Sequence, residues 1–442
     1  MDYENNNSKQ QLTIIGKTNW RNSNQPFGIK DSDRLFHIYT IGKTGTGKST
    51  LLNNMVISDI QNGKGVALID PHGDSAITIL NYIPKERIQD VIYFNPSDTD
   101  FPIAFNPIFH IHPKHHQIVT SNLISVFNKI WDESWGPRME HILRYSIITL
   151  LEYGRGSILD IQRLLTDGFF RKQVLVRVTS KEVLNFWQNE FEKMPPSLKA
   201  ESISPILNKM GYFNANPLLR NILGQKKSGL KFTQILDESK ILICNLSKGS
   251  IGEDSCKIMG SLLVTHIQLA SLYRVIQPQN ERIPFYLFVD EVQNFIGTSF
   301  MEMLSECRKF GLSVFLTNQF LHQLPITLQE SILSNVGTII SFRVGSNDAF
   351  VLSKELYPYF NQEDLINLPR YSIYIKLCID GQTSKPFSAD TFPLSQPTNN
   401  NSLLVINTSR NVYAKQKKEV EEEIGQRYIN DLHEVKQVKL FE

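Results

Sequence analysis

Short runs of consecutive apolar residues punctuate the chain. HIYTI (37–41), GVALID (65–70), DVIYFN (90–95), KILICNL (240–246), FYLFVD (285–290), LSVFLTN (312–318) and GTIISFRV (337–344) each lack the polar alternation of a half-exposed strand. Such runs predict strands buried on both faces. Between them the apolar period changes to that of a helix. After the first run, Leu51, Leu52, Met55, Val56 and Ile60 share one helical face, and Gly63 and Gly65 end it. DSCKIMGSLLVTHIQLASLYR and the stretch around SFMEMLSECRKFG read as further amphipathic helices. Strand and helix alternating through short connections predict an α/β fold with a mostly parallel sheet covered on both sides.

The pattern shifts between Pro107 and Lys240. Long helical stretches such as HHQIVTSNLISVFNKIWDE and RMEHILRYSIITLLEYG dominate, broken by Pro195, Pro196, Pro205 and Pro217. The expected organisation is therefore a polar, disordered 1–11, an α/β domain in two parts (12–109 and 240–395), a mostly helical insertion (110–239), and a linker with a charged helix (396–442). Short β-like pieces precede Phe36. A hairpin is expected from YSIYIKLCI through the turn Asp380-Gly381 to SKPFSAD. The final 40 or so residues, rich in Lys and Glu, read as one helix.

Composition changes this picture little. The 442 residues carry a formal net charge of +2, so no global field announces a polyanionic partner, and any nucleic-acid contact must be local. The basic stretch GQKKSGLK (224–231) is one candidate, and an exposed turn explains it equally well. The four cysteines, Cys244, Cys256, Cys307 and Cys378, are far apart, which excludes a cysteine zinc site and predicts no disulfide framework. No window reaches the roughly 20 apolar residues of a membrane helix, and MDYENNNSKQQ has no signal-like core. A cytoplasmic protein is expected, one that could dock on a membrane-anchored partner. The histidines of HIHPKHH (110–116) lack the spacing of a metal site and read as a solvated loop.

The chemistry is carried by two stretches. Gly42-Lys43-Thr44-Gly45-Thr46-Gly47-Lys48-Ser49, followed by Thr50, fits G-x-x-x-x-G-K-[ST] between a buried strand and a helix. In that setting the backbone N–H groups and the positive helix end cradle phosphate, Lys48 reaches the β- and γ-phosphates of ATP, and Ser49 ligates Mg2+. The second stretch is FYLFVDEVQNF, an apolar strand ending in two carboxylates. Asp290 is placed to hold Mg2+ and Glu291 to act as general base on water. Gln319, at the end of LSVFLTN, is placed to sense the γ-phosphate or orient that water. Arg308, ahead of the same strand, could reach a neighbouring subunit's site, and Arg343, read as lying inside the strand 337–344, could face a phosphate, a subunit boundary or a structural partner.

The order HIYTIGKTGTGKST, LIDPHGD, FNP, NLSKGSIGED, FVDEVQNF, ECRKFGLSVFLTNQ, FRVGSNDA, with the tail TSRNVYAKQKKEVEEEI, resembles the HerA/FtsK superfamily of ring motors. It is most similar to the TraG/TraD-like coupling ATPases of conjugation and type IV secretion. The resemblance implies a RecA-like P-loop ATPase core with an all-alpha domain beside it. It also implies a homo-hexamer with ATP sites between subunits, DNA or a DNA–protein cargo in the channel, and a membrane-anchored secretion subunit or relaxase as partner. Lys48, Ser49, Asp290, Glu291, Gln319 and Arg308 match its motif positions. Two other functions stay open: a secretion or pilus motor acting on protein, and a HerA-like cytosolic DNA-processing helicase.

Overall fold

The computed structural model describes residues 12–131, 135–297, 299–397 and 399–426. The stretch expected to be disordered, 1–11, and the end of the charged tail lie outside them. The chain forms two compact units, one of Met1–Phe94, Phe232–Ser247 and Ile267–Thr408, the other of Asn95–Lys231, Lys248–His266 and Ser409–Glu442.

The first unit is built on an 11-stranded sheet. Its strands are β1 (Leu12–Thr18), β2 (Pro26–Lys30), β3 (Ile38–Ile41), β4 (Gly65–Asp70), β5 (Val91–Phe94), β6 (Ile241–Asn245), β7 (Phe285–Val289), β8 (Leu312–Asn318), β9 (Thr338–Ser341), β10 (Ser372–Lys376) and, after the short hairpin β11 (Cys378–Ile379) and β12 (Gln382–Thr383), β13 (Phe387–Thr391). The spatial order is β2-β1-β13-β10-β9-β3-β8-β7-β4-β6-β5. From β9 to β5 every pairing is parallel. From β9 to β2 every pairing is antiparallel. The α/β class, the mostly parallel sheet and the hairpin at Asp380-Gly381 are thus as the sequence predicts.

The parallel strands are buried along their whole length because helices cover both faces. The helix Lys48–Gln61 buries Leu51, Leu52, Met55, Val56 and Ile60 against Ile38, Val66, Leu68, Phe288 and Phe315. At about 1.5–3 kcal/mol per fully buried aliphatic side chain, this face fixes the helix and so the loop that feeds it. A buried ion pair pins the helix's other half: Arg34 donates to both Asp59 oxygens at 2.5 and 2.7 Å. Its guanidinium lies 3.8 Å from the centre of the Tyr286 ring.

β9 falls furthest short of its expected length. β9 ends at Ser341, and Arg343, expected within the strand, lies exposed in a bend beyond it. Phe342 and Val344 are buried on either side of it, so the local alternation imitates a strand after the ladder has ended.

The second unit is helical. Trp187 is fully buried, donating from Nε1 to Thr149 Oγ1 at 2.8 Å, and Phe127 stacks on Trp131 at 4.5 Å. Among the described residues of the tail, Ser402–Tyr413 and 417–426 are helical. Between them Ala414 bridges to Ile103, an extended pairing a continuous helix would forbid. Among the described residues no group of three or more His, Cys, Asp or Glu could hold a metal, and no helix is long and apolar enough to cross a membrane.

Candidate active site

The carboxyl ends of β3, β4, β7 and β8 converge on a cleft of ≈ 370 Å³ in the first unit. Its lining includes Thr44, Gly45, Gly47, Lys48, Ser49, Thr50, Asp290, Glu291 and Gln319. Nearly all the residues singled out in the two motifs therefore meet in one place.

The loop between β3 and the helix is shaped by glycine. Gly47 has φ +125°, and a Cβ there would lie 2.8 Å from Cδ1 of Tyr371. Gly42 is excluded from bearing a side chain by Phe342, whose Cβ would be 2.5 Å away. Lys48 is buried, with its Nζ donating to the loop's own carbonyls, Gly42 O and Lys43 O. Burial lowers its pKa, against the opposing pull of Glu291 and Asp290. A cation held by two loop carbonyls, at the positive end of a helix, is a receptor for an anion.

Asp290 follows the last residue of β7, and its N–H donates to Ile69 O at 3.1 Å. The carboxylate is 5% exposed, accepts the Thr317 hydroxyl, and is pushed up to about 6 by burial, with Asp70 and Glu291 adding repulsion. A divalent cation in this position would relieve that repulsion. Glu291 leaves the strand through φ +49°. Its Oε1 accepts from Gln319 Nε2 at 2.7 Å and its Oε2 from Gln293 Nε2 at 2.7 Å. Gln319 in turn accepts from Thr44 Oγ1 at 2.9 Å. An unbroken chain of hydrogen bonds thus runs from the phosphate loop to the carboxylate.

The arginines fall elsewhere. Arg308 lies exposed ahead of β8, its guanidinium 3.4 Å from the centre of the Phe36 ring. The seven residues of β8 separate it from Gln319, roughly 20 Å at strand rise. Arg343 does not line the cleft, though its carbonyl accepts Lys43 N–H at 2.8 Å. Sequence reasoning gave no site role to Asp70, His72 and Asp74 of LIDPHGD, nor to Arg370 and Tyr371, all of which line it. Asp70 accepts the N–H groups of His72 and Ala76 at 2.8 and 2.9 Å and so shapes the turn PHGD. Its place at the end of a buried strand was the available signal.

The family of type IV secretion-system coupling proteins, described by their DNA-binding domain, matches residues 28–356. The chain belongs to this family. The family expected from the order of motifs is thus the one found. Among solved structures, unbound TrwB, a bacterial conjugative coupling protein, superposes with a TM-score of 0.63 at 15% identity, over 89% of this chain and 91% of that one. TrwB in complex with ADP and Mg2+ gives 0.61 at 15%, over 88% and 91%. VirB4 of Thermoanaerobacter pseudethanolicus gives 0.56 at 14%, over 87% and 96%. At these identities the likeness establishes the RecA-like fold with its helical domain. No curated protein matches the chain.

Proposed function

We propose that the protein is an ATP-hydrolysing motor of a conjugation or type IV secretion-like system, working as a homo-hexamer that moves DNA or a DNA–protein cargo. The observation that carries the reading is the hydrogen-bond chain Thr44–Gln319–Glu291, which couples the phosphate loop to a general base. A site that only held nucleotide would need no such link.

Lys48 turns from Gly42 and Lys43 carbonyls to the β- and γ-phosphates. Mg2+, when bound, neutralises charge on those phosphates; Ser49 and Asp290 would hold it. A set of one carboxylate and one hydroxyl suits this ion, which takes its remaining ligands from phosphate and water. Glu291 accepts the proton of the attacking water, and Gln319 reports the loop's state to it. Arg308, ahead of β8 and so at the other end of that strand from its own cleft, serves the site of a neighbouring subunit. TrwB has been seen with an ATP analogue as well as with ADP and Mg2+, which agrees with this nucleotide choice.

For DNA, the second unit offers a cleft of ≈ 560 Å³ lined by Arg155, Arg163, Lys226, Lys227 and Lys415 against two carboxylates, Asp160 and Glu423. It includes the basic stretch noted in the sequence. Phosphate-backbone binding there should weaken steeply with salt. The decisive experiment measures ATP turnover of the assembled oligomer with and without DNA. Turnover should rise with DNA and collapse in Glu291→Gln. An oligomer whose turnover ignores DNA but responds to a secretion partner would shift the cargo to protein.

A further inference from the structure

We propose that Tyr371, with Arg370 beside it, forms the platform for the nucleobase. This rests on the nucleotide reading of the cleft. The groups proposed to face the γ-phosphate lie on one side of the loop: β8 leads to Gln319 and β7 to Asp290 and Glu291, next in the sheet after β3. On the other side of β3 come β9 and then β10. β10 is antiparallel to β9, with Tyr374 opposite Ser341. Its start therefore lies at the same edge of the sheet as the end of β3. The chain enters β10 through Arg370 and Tyr371, on the flank of the loop away from Glu291. A nucleotide pinned with its γ-phosphate toward Glu291 must leave its base on that flank.

Tyr371 is fixed there by the loop itself. Its N–H donates to Thr46 O at 2.8 Å, and its carbonyl accepts from Thr391 N at 2.9 Å. The residue has φ +68°, a left-handed conformation that is uncommon for a bulky side chain and costs free energy. The ring packs against Gly47 yet remains 36% exposed, and the Arg370 guanidinium lies 4.8 Å from its centre. Both line the same cleft as Lys48 and Glu291. An aromatic face beside a planar cation suits the flat π surface of a base, and such stacking tolerates any base.

The test compares Mg2+–ATP with inorganic tripolyphosphate, which has the phosphates and no base, by calorimetric titration of the full chain. Tyr371→Asn removes the ring and tolerates the left-handed backbone. It should weaken ATP binding roughly tenfold or more and leave tripolyphosphate affinity within about twofold. GTP should lose affinity in parallel with ATP, and Tyr371→Phe, which restores the ring, should recover both. Equal weakening of ATP and tripolyphosphate would make Tyr371 a brace of the phosphate loop and overturn the proposal, as would no change in either. If the unaltered protein binds tripolyphosphate as tightly as ATP, the base platform fails while the phosphate site stands; if it binds neither, both readings fail.

Discussion

His37 should make the protein lose stability in mild acid. It sits between Phe36 and β3, 1% exposed, with φ +67°. Its Nδ1 accepts the N–H of Val314 at 3.2 Å, so that nitrogen carries no proton; Nε2, 3.0 Å from Leu304 O, carries the proton and donates it. Burial pushes the imidazole down to about 4, outweighing the stabilising bond to Leu304 O, and the nearby Arg308 charge lowers it further. The unfolded chain titrates near the ordinary 6.5. Below that pH the unfolded state binds a proton that the folded state refuses, so stability falls as pH drops from about 6.5 to about 4 and is level outside that window. At about 1.4 kcal/mol for each pH unit, the loss between pH 7.5 and 4.5 is about 2–3 kcal/mol. His37→Asn keeps a residue type that tolerates positive φ and an acceptor for Val314, but gives up the bond to Leu304. It should cost about 1 kcal/mol at pH 7.5. Denaturant titrations at both pH values measure the difference. The variant should equal or exceed the parent protein at pH 4.5. A stability gap that is the same at both pH values would refute the argument, because it would mean that His37 does not titrate in this window.

Other substitutions probe the cleft and the second unit. Glu291→Gln places an amide N–H2 against one of the two amide donors that Glu291 now accepts; turnover should fall about 10²–10⁴-fold with nucleotide binding retained, read by single-turnover kinetics. Gln319→Ala cuts the link to Thr44 and should lower kcat by roughly 10²-fold with little change in nucleotide Kd; equal loss in both would make Gln319 a binding residue. Arg308→Ala co-assembled with Lys48→Ala should recover turnover that neither has alone, because some interfaces regain both groups; no recovery places Arg308's role within its own subunit. Lys226→Gln with Lys227→Gln should reduce the slope of log affinity for single-stranded DNA against log salt by about 1.4, and an unchanged slope removes this cleft from the DNA path.

The parallel strands were legible because burial on both faces leaves continuous apolar runs; β4 and β8 begin and end where those runs do, and β7 stops one residue earlier, before Asp290. The placement of the loop Gly42–Gly47 between a buried strand and a helix was legible because its motif is a contiguous stretch. Arg343 misled because one exposed residue between buried Phe342 and Val344 looks the same inside a strand as in a bend after it. Arg370 and Tyr371 carried no local signal. They reach the cleft through an antiparallel return in the sheet, and a tyrosine at positive φ cannot be read from sequence. The second unit gathers 95–231, 248–266 and the tail from 409, an assembly fixed by long-range packing, which periodicity does not encode.

Two adjacent carboxylates at the end of a buried strand should repel each other, and the backbone is what lets them coexist. Had β7 continued, Glu291 would have pointed to the opposite face of the sheet from Asp290, away from the cleft. The left-handed turn at Glu291 breaks the strand and keeps both side chains on the cleft with different partners. Asp290 takes the Thr317 hydroxyl of the neighbouring strand, whereas Glu291 takes the amides of Gln319 and Gln293. The carboxylate at the strand end is thereby left buried and short of positive charge, the condition for holding a cation. The other is fixed by two donors and tied to Thr44 through Gln319, the arrangement that the proposed general base would use. Separating the pair by conformation, with no difference in residue charge type, is what would let one dipeptide serve both roles in the proposed mechanism.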